Sequence, residues 1–386
     1  MFRGGFLLKC LCFNPRKAEN HIIRFSAYSI VCCILLILTV LLNLVSRLSA
    51  DFAEWYACNI YPIIVAVFGW IFSIFPFSFM ELLFVLLVLF VIYDIIILCT
   101  RLKRRFKDKT ERCNALKRFA SKMIALVICL LFIFTTNCSV NYHRKSVADH
   151  LSLTVRKTSA SDLITLADIL IDKLCSDASK IQSVSDNGAS FLPQNHIQTA
   201  VDAMHLLSEK YTAFSGYYPS AKPLTSSVLF SYMNITGIYS AFTVEANFNC
   251  DVTDYYIPFT ICHELSHLRG FMREDEANFI AYLACLASDD EYFNYSGSIL
   301  AFTYVYNALA RIGKSEECKR LWDMLPDVVV SDFSANSEYW AKFDTPVSDI
   351  AQKFNDTYLK VNSQADGVQS YGRVVDLLIA YYINTD

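Results

Sequence analysis

The chain has 386 residues, 54% of them hydrophobic, with a mean hydropathy of +0.34 and a formal net charge of −3. It is too apolar for an ordinary soluble protein and too polar for one made only of membrane helices, so it must divide into two kinds of segment. No strongly basic stripe lies outside the flanks of the apolar runs, which leaves nucleic-acid binding without support.

The apolar segments come first. Phe25 to Val45 forms a run long enough to cross a bilayer, as do Phe77 to Cys99 and Phe119 to Thr136. Between the first two lies Ile63 to Phe75, 13 residues bounded by Pro62 and Pro76, a length that suits an interfacial or re-entrant segment better than a span. Arg3, Lys9, Arg16, Lys17 and Arg24 precede the first span, and the Arg101–Arg118 loop holds nine Lys or Arg residues. The positive-inside rule puts both on the cytoplasmic side, which three spans satisfy and a fourth through 63–75 would not. The expectation is a multi-pass cell-membrane protein, N-terminus inside, embedded in a lipid bilayer over residues 1–137. The remaining 138–386 then form an extracytoplasmic domain. The first span has no A-x-A-like cleavage site and reads as an uncleaved anchor. A transporter would need more spans and paired intramembrane charges, whereas Glu81 and Asp94 lie near span ends.

Residues 138–386 read as a domain large enough to bury a core without disulfides. Its six cysteines, at 138, 175, 250, 262, 285 and 318, form no recognisable framework, and C-x-x-C is absent. Ser161-Asp162 is a candidate cap for a helix through Ile181, and a second helix follows at Ile197 to Tyr211. His196 and His205 have no partner at ligand spacing. Ser227 to Tyr232 and Gly237 to Asn249 read as strands from their β-branched and aromatic content. A strand beside a metal helix could bind substrate backbone along its free edge, and Glu245, Asn247 and Asn249 could border such a cleft. Pro258 suits the first turn of a helix running to Arg269, with Gly270 as its stop. Further helices are expected from Arg273, over Ser298–Arg311 and Ser315–Met324, and over Gln369–Tyr382.

The Pro258 helix carries His263-Glu264-Leu265-Ser266-His267. Residues four apart share one helix face, so the two imidazoles can meet one metal ion. Glu264 stands about a hundred degrees around the helix, in a position to act as general base on a water activated by that metal. Zinc commonly takes a third protein ligand and keeps one position open. Glu274 and Glu276, both within Arg273-Glu274-Asp275-Glu276-Ala277-Asn278, are the candidates, while Asp275 suits the positive end of the next helix. Tyr239, Tyr371 and Arg373 are candidate donors to a developing oxyanion.

Glu274-Asp275-Glu276-Ala277-Asn278 resembles the E-x-x-A-D element of gluzincin-group membrane zinc endopeptidases. That resemblance implies Glu274 as the ligand and Asn278 as the group that hydrogen-bonds a histidine, with Glu276 as the competing ligand. Two departures are Asn for Asp and only six residues between His267 and Glu274. GIYSAFTVEAN, PFTICHELSHLRGFMREDEANFIAYLAC and DGVQSYGRVVDLL together resemble an uncharacterised bacterial membrane family, the domain of unknown function numbered 3810. The expected fold is a set of α-helical membrane segments plus a mainly α (α+β) zincin-like domain with a small sheet. The expected function is a membrane-anchored zinc metallopeptidase with one zinc ion and a peptide or protein substrate. A metal-binding sensor or interaction protein that keeps the fold without turnover is the alternative.

Overall fold

A computed structural model describes residues 27–104, 108–182, 184–185, 187–361 and 371–383. The membrane part comprises α1 (Ala27–Leu48), the short α2 (Ala50–Asn59) and α3 (Tyr61–Ser73), α4 (Phe79–Arg104) and α5 (Lys109–Phe134). Helix α5 continues without a break through a π turn and a 3-10 turn to His143, so a boundary at residue 137 would cut a continuous rod. By length and composition, four helical stretches could cross a membrane: α1, α2 with α3, α4, and α5 with its extension. That is one more than the three expected. The difference is residues 50–73, where the expected 13-residue segment proves to be the end of a 24-residue helical stretch.

Helices α1, α4 and α5 form a bundle whose polar contacts fix their directions. Tyr28 of α1 donates to the Ser121 carbonyl of α5, and Asn43, farther along α1, meets Thr135 and Ser139 beyond it. These two helices therefore run parallel. Lys122 of α5 meets Asp94 of α4 at 2.7 Å, while the start of α4 lies against the rest of the chain, so α4 runs antiparallel to both.

The remainder is helical around a three-stranded sheet. Helices α6 (Val147–Leu151), α7 (Ala160–Ala178) and α8 (His196–Lys210) precede β1 (Lys222–Pro223) and α9 (Ser227–Tyr232). Next come the antiparallel pair β2 (Gly237–Ser240) and β3 (Glu245–Phe248), then α10 (Tyr256–His267) and α11 (Glu274–Ala287). Helices α12 (Glu291–Arg311), α13 (Ser315–Trp322), α14 (Asp327–Ala341), α15 (Pro346–Val361) and α16 (Tyr371–Tyr382) complete the chain. The sheet order β1-β3-β2 leaves β2 at one edge.

Several expectations are corrected here. Ser227–Tyr232 is a helix, not a strand, and Glu81 of α4 accepts the Thr225 and Ser226 amides just before it, which anchors the residues leading into the helix. The cap of α7 is Ser159, which exchanges hydrogen bonds with Asp162 in a capping box. Helices α14 and α15 had no counterpart in the sequence reading. His196 and His205 each pack edge-on against a ring, Phe248 and Tyr218. All the described cysteines are free thiols.

The core forms where α12 crosses α7, α10 and α11. A Cβ on Gly297 of α12 would stand 2.6 Å from the Cβ of Cys285, so glycine is what lets α12 and α11 touch. Leu163, Leu166, Leu170 and Leu174 of α7, at three- and four-residue spacing, supply the facing stripe and are all buried.

The two parts are joined by buried charge. Lys222 meets Glu245 at 2.5 Å and donates to the Phe72 carbonyl, while Glu245 also accepts the Phe79 and Met80 amides at the start of α4. Removing one member of a buried pair strands the other, at roughly 3–5 kcal/mol. Glu245→Ala is therefore expected to lower the thermal unfolding midpoint of the detergent-solubilised chain strongly. The double variant Glu245→Gln with Lys222→Met, which keeps an acceptor for the α4 amides, should recover most of the loss.

Candidate metal centre

Helix α10 carries the site because both its ends are held. At its start, the Ser296 hydroxyl of α12 accepts the Phe259 amide and donates to the Tyr255 carbonyl. At its end, Gly270 adopts φ +81 and closes the turn onto the His267 carbonyl. Arg144 donates to the Arg269 carbonyl, chelates Glu54 of α2 and lies 4.1 Å from the Phe271 ring centroid. Tyr61 of α3 donates to the His267 carbonyl and shares a 2.8 Å hydrogen bond with Tyr239.

Within that frame the two imidazoles stand with ring centroids 4.8 Å apart at 89°. After the Gly270 turn α11 folds back, which brings Glu274 to 3.2 Å from Nε2 of His263 and 3.9 Å from Nε2 of His267. The three potential ligand atoms lie within 4.8 Å of one another, the one such group of His, Cys, Asp or Glu among the described residues.

The outer ring nitrogens are committed elsewhere. Nδ1 of His263 pairs with Oδ1 of Asn278 at 2.8 Å, and Nδ1 of His267 pairs with the Phe271 carbonyl at 2.7 Å. A carbonyl only accepts, so His267 must carry its proton on Nδ1, which leaves the Nε2 lone pair facing Glu274. Glu276 does not compete for this position. Its carboxylate accepts the Val147 amide and pairs with Arg273 at 2.6 Å. Asp275 stands in the first turn of α11, 4.0 Å from Arg373 of α16. Arg373 is thus drawn to the residue beside Glu274. The Tyr371 side chain lies outside the described residues. The Tyr239 ring centroid is 6.0 Å from that of His267, but its hydroxyl is engaged by Tyr61 and by the Asn137 carbonyl.

Glu264 is 4% exposed, and its Oε2 has no hydrogen-bond partner among the described residues. Burial pushes its carboxyl up to about 8, against the opposing pull of His263. Burial alone would lower the His263 pKa, but the Glu274 and Glu264 carboxylates and Asn278 outweigh it and lift it to about 9. Burial and the neighbouring His263 take His267 down to about 4. Burial acts to raise Glu274, yet its contacts with the two histidines leave it below the usual range.

The sheet edge reaches the same place. The Tyr239 amide donates to Glu264, and a Cβ on Gly237 would meet Oε1 of Glu264 at 2.4 Å and the Thr260 methyl at 2.7 Å. Glycine is required for β2 to lie this close to α10. Asn247 and Asn249 hold the backbone near β2. Their side-chain amides serve the backbone of Ile238 and Ile235, and Glu245 is committed to Lys222.

The donor set suits zinc. Bonds of about 2.0–2.1 Å in a tetrahedron put ligand atoms roughly 3.3 Å apart, a spacing that the His263–Glu274 pair nearly meets, while the other two pairs, both within 4.8 Å, would reach it by side-chain rotation. The unpartnered buried oxygen of Glu264 stands where a polar group is still required. Tyr61, Gly237 and the Phe271 carbonyl escaped sequence reading. Gly237, at the start of a strand-like run, was the one legible signal of a close approach.

A mostly helical protein with membrane-type helices and a small sheet, gathering two histidines and a glutamate on a helix-turn-helix, is the class that this fold and site define. The chain matches the family model described as protein of unknown function, DUF3810, over residues 56–379, and it belongs to that family. The match takes in α3, α4 and α5 as well as the site residues. Neither a curated protein nor a solved structure matches the chain.

Gly237→Ala places a methyl against the Glu264 carboxylate and the Thr260 methyl, which must move apart. A loss of about 1–3 kcal/mol is expected, as for overpacking elsewhere, read as a lower denaturation midpoint. Gly313→Ala, where nothing lies within 4 Å of the added carbon, tests the conformational cost of φ +74 alone.

Proposed function

We propose that this chain is a membrane-anchored zinc metallopeptidase of zincin-like fold, with His263, His267 and Glu274 as the metal ligands. The observation that carries the reading is a buried Glu264 with one unpartnered oxygen beside two imidazoles and a carboxylate that converge on one point. A zinc ion held there would supply Lewis acidity toward a peptide carbonyl and lower the pKa of water. Glu264, whose buried Oε2 stands unpartnered beside the ligands, would take a proton from the attacking water and deliver it to the leaving amine. Asn278 and the Phe271 carbonyl keep each imidazole turned with Nε2 inward. Arg373 and Tyr239 act on the site from its border, Arg373 through Asp275 and Tyr239 through its backbone amide.

Strand β2 supports the substrate class. Its register with β3 turns the backbone groups of Gly237 and Tyr239 away from β3, to the edge where the Tyr239 amide meets Glu264. An extended peptide added along that edge would bring its carbonyl to the metal position. The basic residues Arg101, Lys103 and Arg104 lie at the end of the helix bundle away from the site, which by the positive-inside rule supports a site outside the cytoplasm.

Glu264→Gln is expected to keep one zinc per chain and to lose peptide-library cleavage by about 10²- to 10⁴-fold, measured by metal analysis and mass spectrometry. Full activity in that variant would sink the mechanism, and zinc without cleavage by the unaltered chain would favour the sensor reading. In competition with a chromophoric chelator, Asn278→Ala should weaken zinc by roughly 10- to 100-fold. Glu274→Ala should weaken it further, and Glu276→Gln should leave it unchanged.

A further inference from the structure

We propose that residues 50–73, though apolar and long enough to cross a bilayer, lie in the membrane interface on the side of the metal centre and present Ile63, Val67 and Trp70, with the adjoining Ile74, to lipid. The argument is topological first. The C-terminal end of α1, the N-terminal end of α4 and the C-terminal end of α5 all lie against the globular part. Asn43 meets Ser139, the start of α4 meets Glu245, and α5 runs on into it. The other ends of all three lie together, as the Tyr28–Ser121 and Asp94–Lys122 contacts require. A chain leaving α1 and entering α4 on the same side crosses an even number of times between them. One helical stretch cannot do so.

Contacts along the segment agree. Near its start, Glu54 chelates Arg144, which in turn holds the Arg269 carbonyl. Near its end, the Phe72 carbonyl accepts Lys222, and an added Cβ on Gly69 would stand 3.1 Å from Pro219. Both ends are therefore docked on one globular face. Tyr61, Val65 and Gly69, four residues apart, are the buried stripe. The opposite stripe is bare: Ile63 is 61% exposed, Val67 50%, Trp70 68% and Ile74 67%.

Water is not a tenable occupant of that face. From Trp55 to Met80 the chain has no charged residue, and a contiguous apolar patch of this kind is costly in solvent. Lipid is continuous with it, since one residue separates α2 from α1 and a short turn separates α3 from α4. A helix with one face on protein and the other in the headgroup–acyl boundary, with Trp at that level, satisfies every group present. The consequence is spatial. Helix α3 touches α10 through Tyr61 and the His267 carbonyl, so the metal helix stands one helix layer, about 10 Å, from lipid.

The full chain reconstituted in sealed vesicles tests this without reference to metal or activity. A membrane-impermeant maleimide would be mapped by peptide mass spectrometry on the exposed native Cys58, Cys250 and Cys113 and on an added Ser73→Cys. Cys58 and Ser73→Cys are expected to react in the same vesicle orientation as Cys250, and Cys113 only in the opposite one. Opposite sidedness of Cys58 and Ser73→Cys overturns the proposal. A nitroxide on Trp70→Cys gives an independent depth, expected at about 5–10 Å into the headgroup–acyl boundary. A depth at the bilayer midplane, or free access to an aqueous relaxant, overturns it equally.

Discussion

Two imidazoles one helical turn apart can face a single point only while the helix that bears them is held against rotation and sliding. Helix α10 meets that condition through four separate elements. Ser296 of α12 fixes its first turn, Gly270 closes its last, and Arg144 and Tyr61 hold the carbonyls that follow. Gathering the buried Glu264 and His267 with the partly buried His263 and Glu274 costs desolvation at each group. The cost is tolerated because the groups answer one another in charge, and because Asn278 and the Phe271 carbonyl occupy the outer nitrogens.

That frame explains why the membrane segments are more than an anchor. Glu54, Tyr61, Glu81 and the Phe72 carbonyl all lie in or beside the apolar helices, and each makes a polar contact with the globular part. Three of these contacts reach residues that hold α10 or the sheet beside it. A carboxylate that caps backbone amides, as Glu81 and Glu245 do, ties two segments together while satisfying donors that would otherwise be buried unpaired. The family match beginning at Tyr56 covers α3, α4 and the site alike, as expected of parts that cannot be separated without exposing such groups.

Reading from sequence succeeded where the determinant was local. Segregation of apolar and polar residues located α1, α4 and α5, and helical spacing with Pro258 and Gly270 located α10 to within two residues. It failed at Ser227–Tyr232, whose valine, leucine and aromatic content resembles a strand. Glu81, far away in the chain, accepts the Thr225 and Ser226 amides just before that stretch and fixes where it begins. Nor does composition reveal the partners of Glu245 in β3 and of Asn249 just after it, which are Lys222 and Ser231.

The sequence by itself determined the helix, the shared face of His263 and His267, the stop at Gly270 and a carboxylate soon after it, since each depends on bonds within a turn or two of chain. Only the tertiary structure decided that Glu274 faces the imidazoles while Glu276 turns to Val147 and Arg273. The two carboxylates are two residues apart, about 200° around a helix, so they cannot face the same way. Which one faced inward depended on how α11 folds back against α10, and that packing is set by α12, the sheet and the apolar helices together.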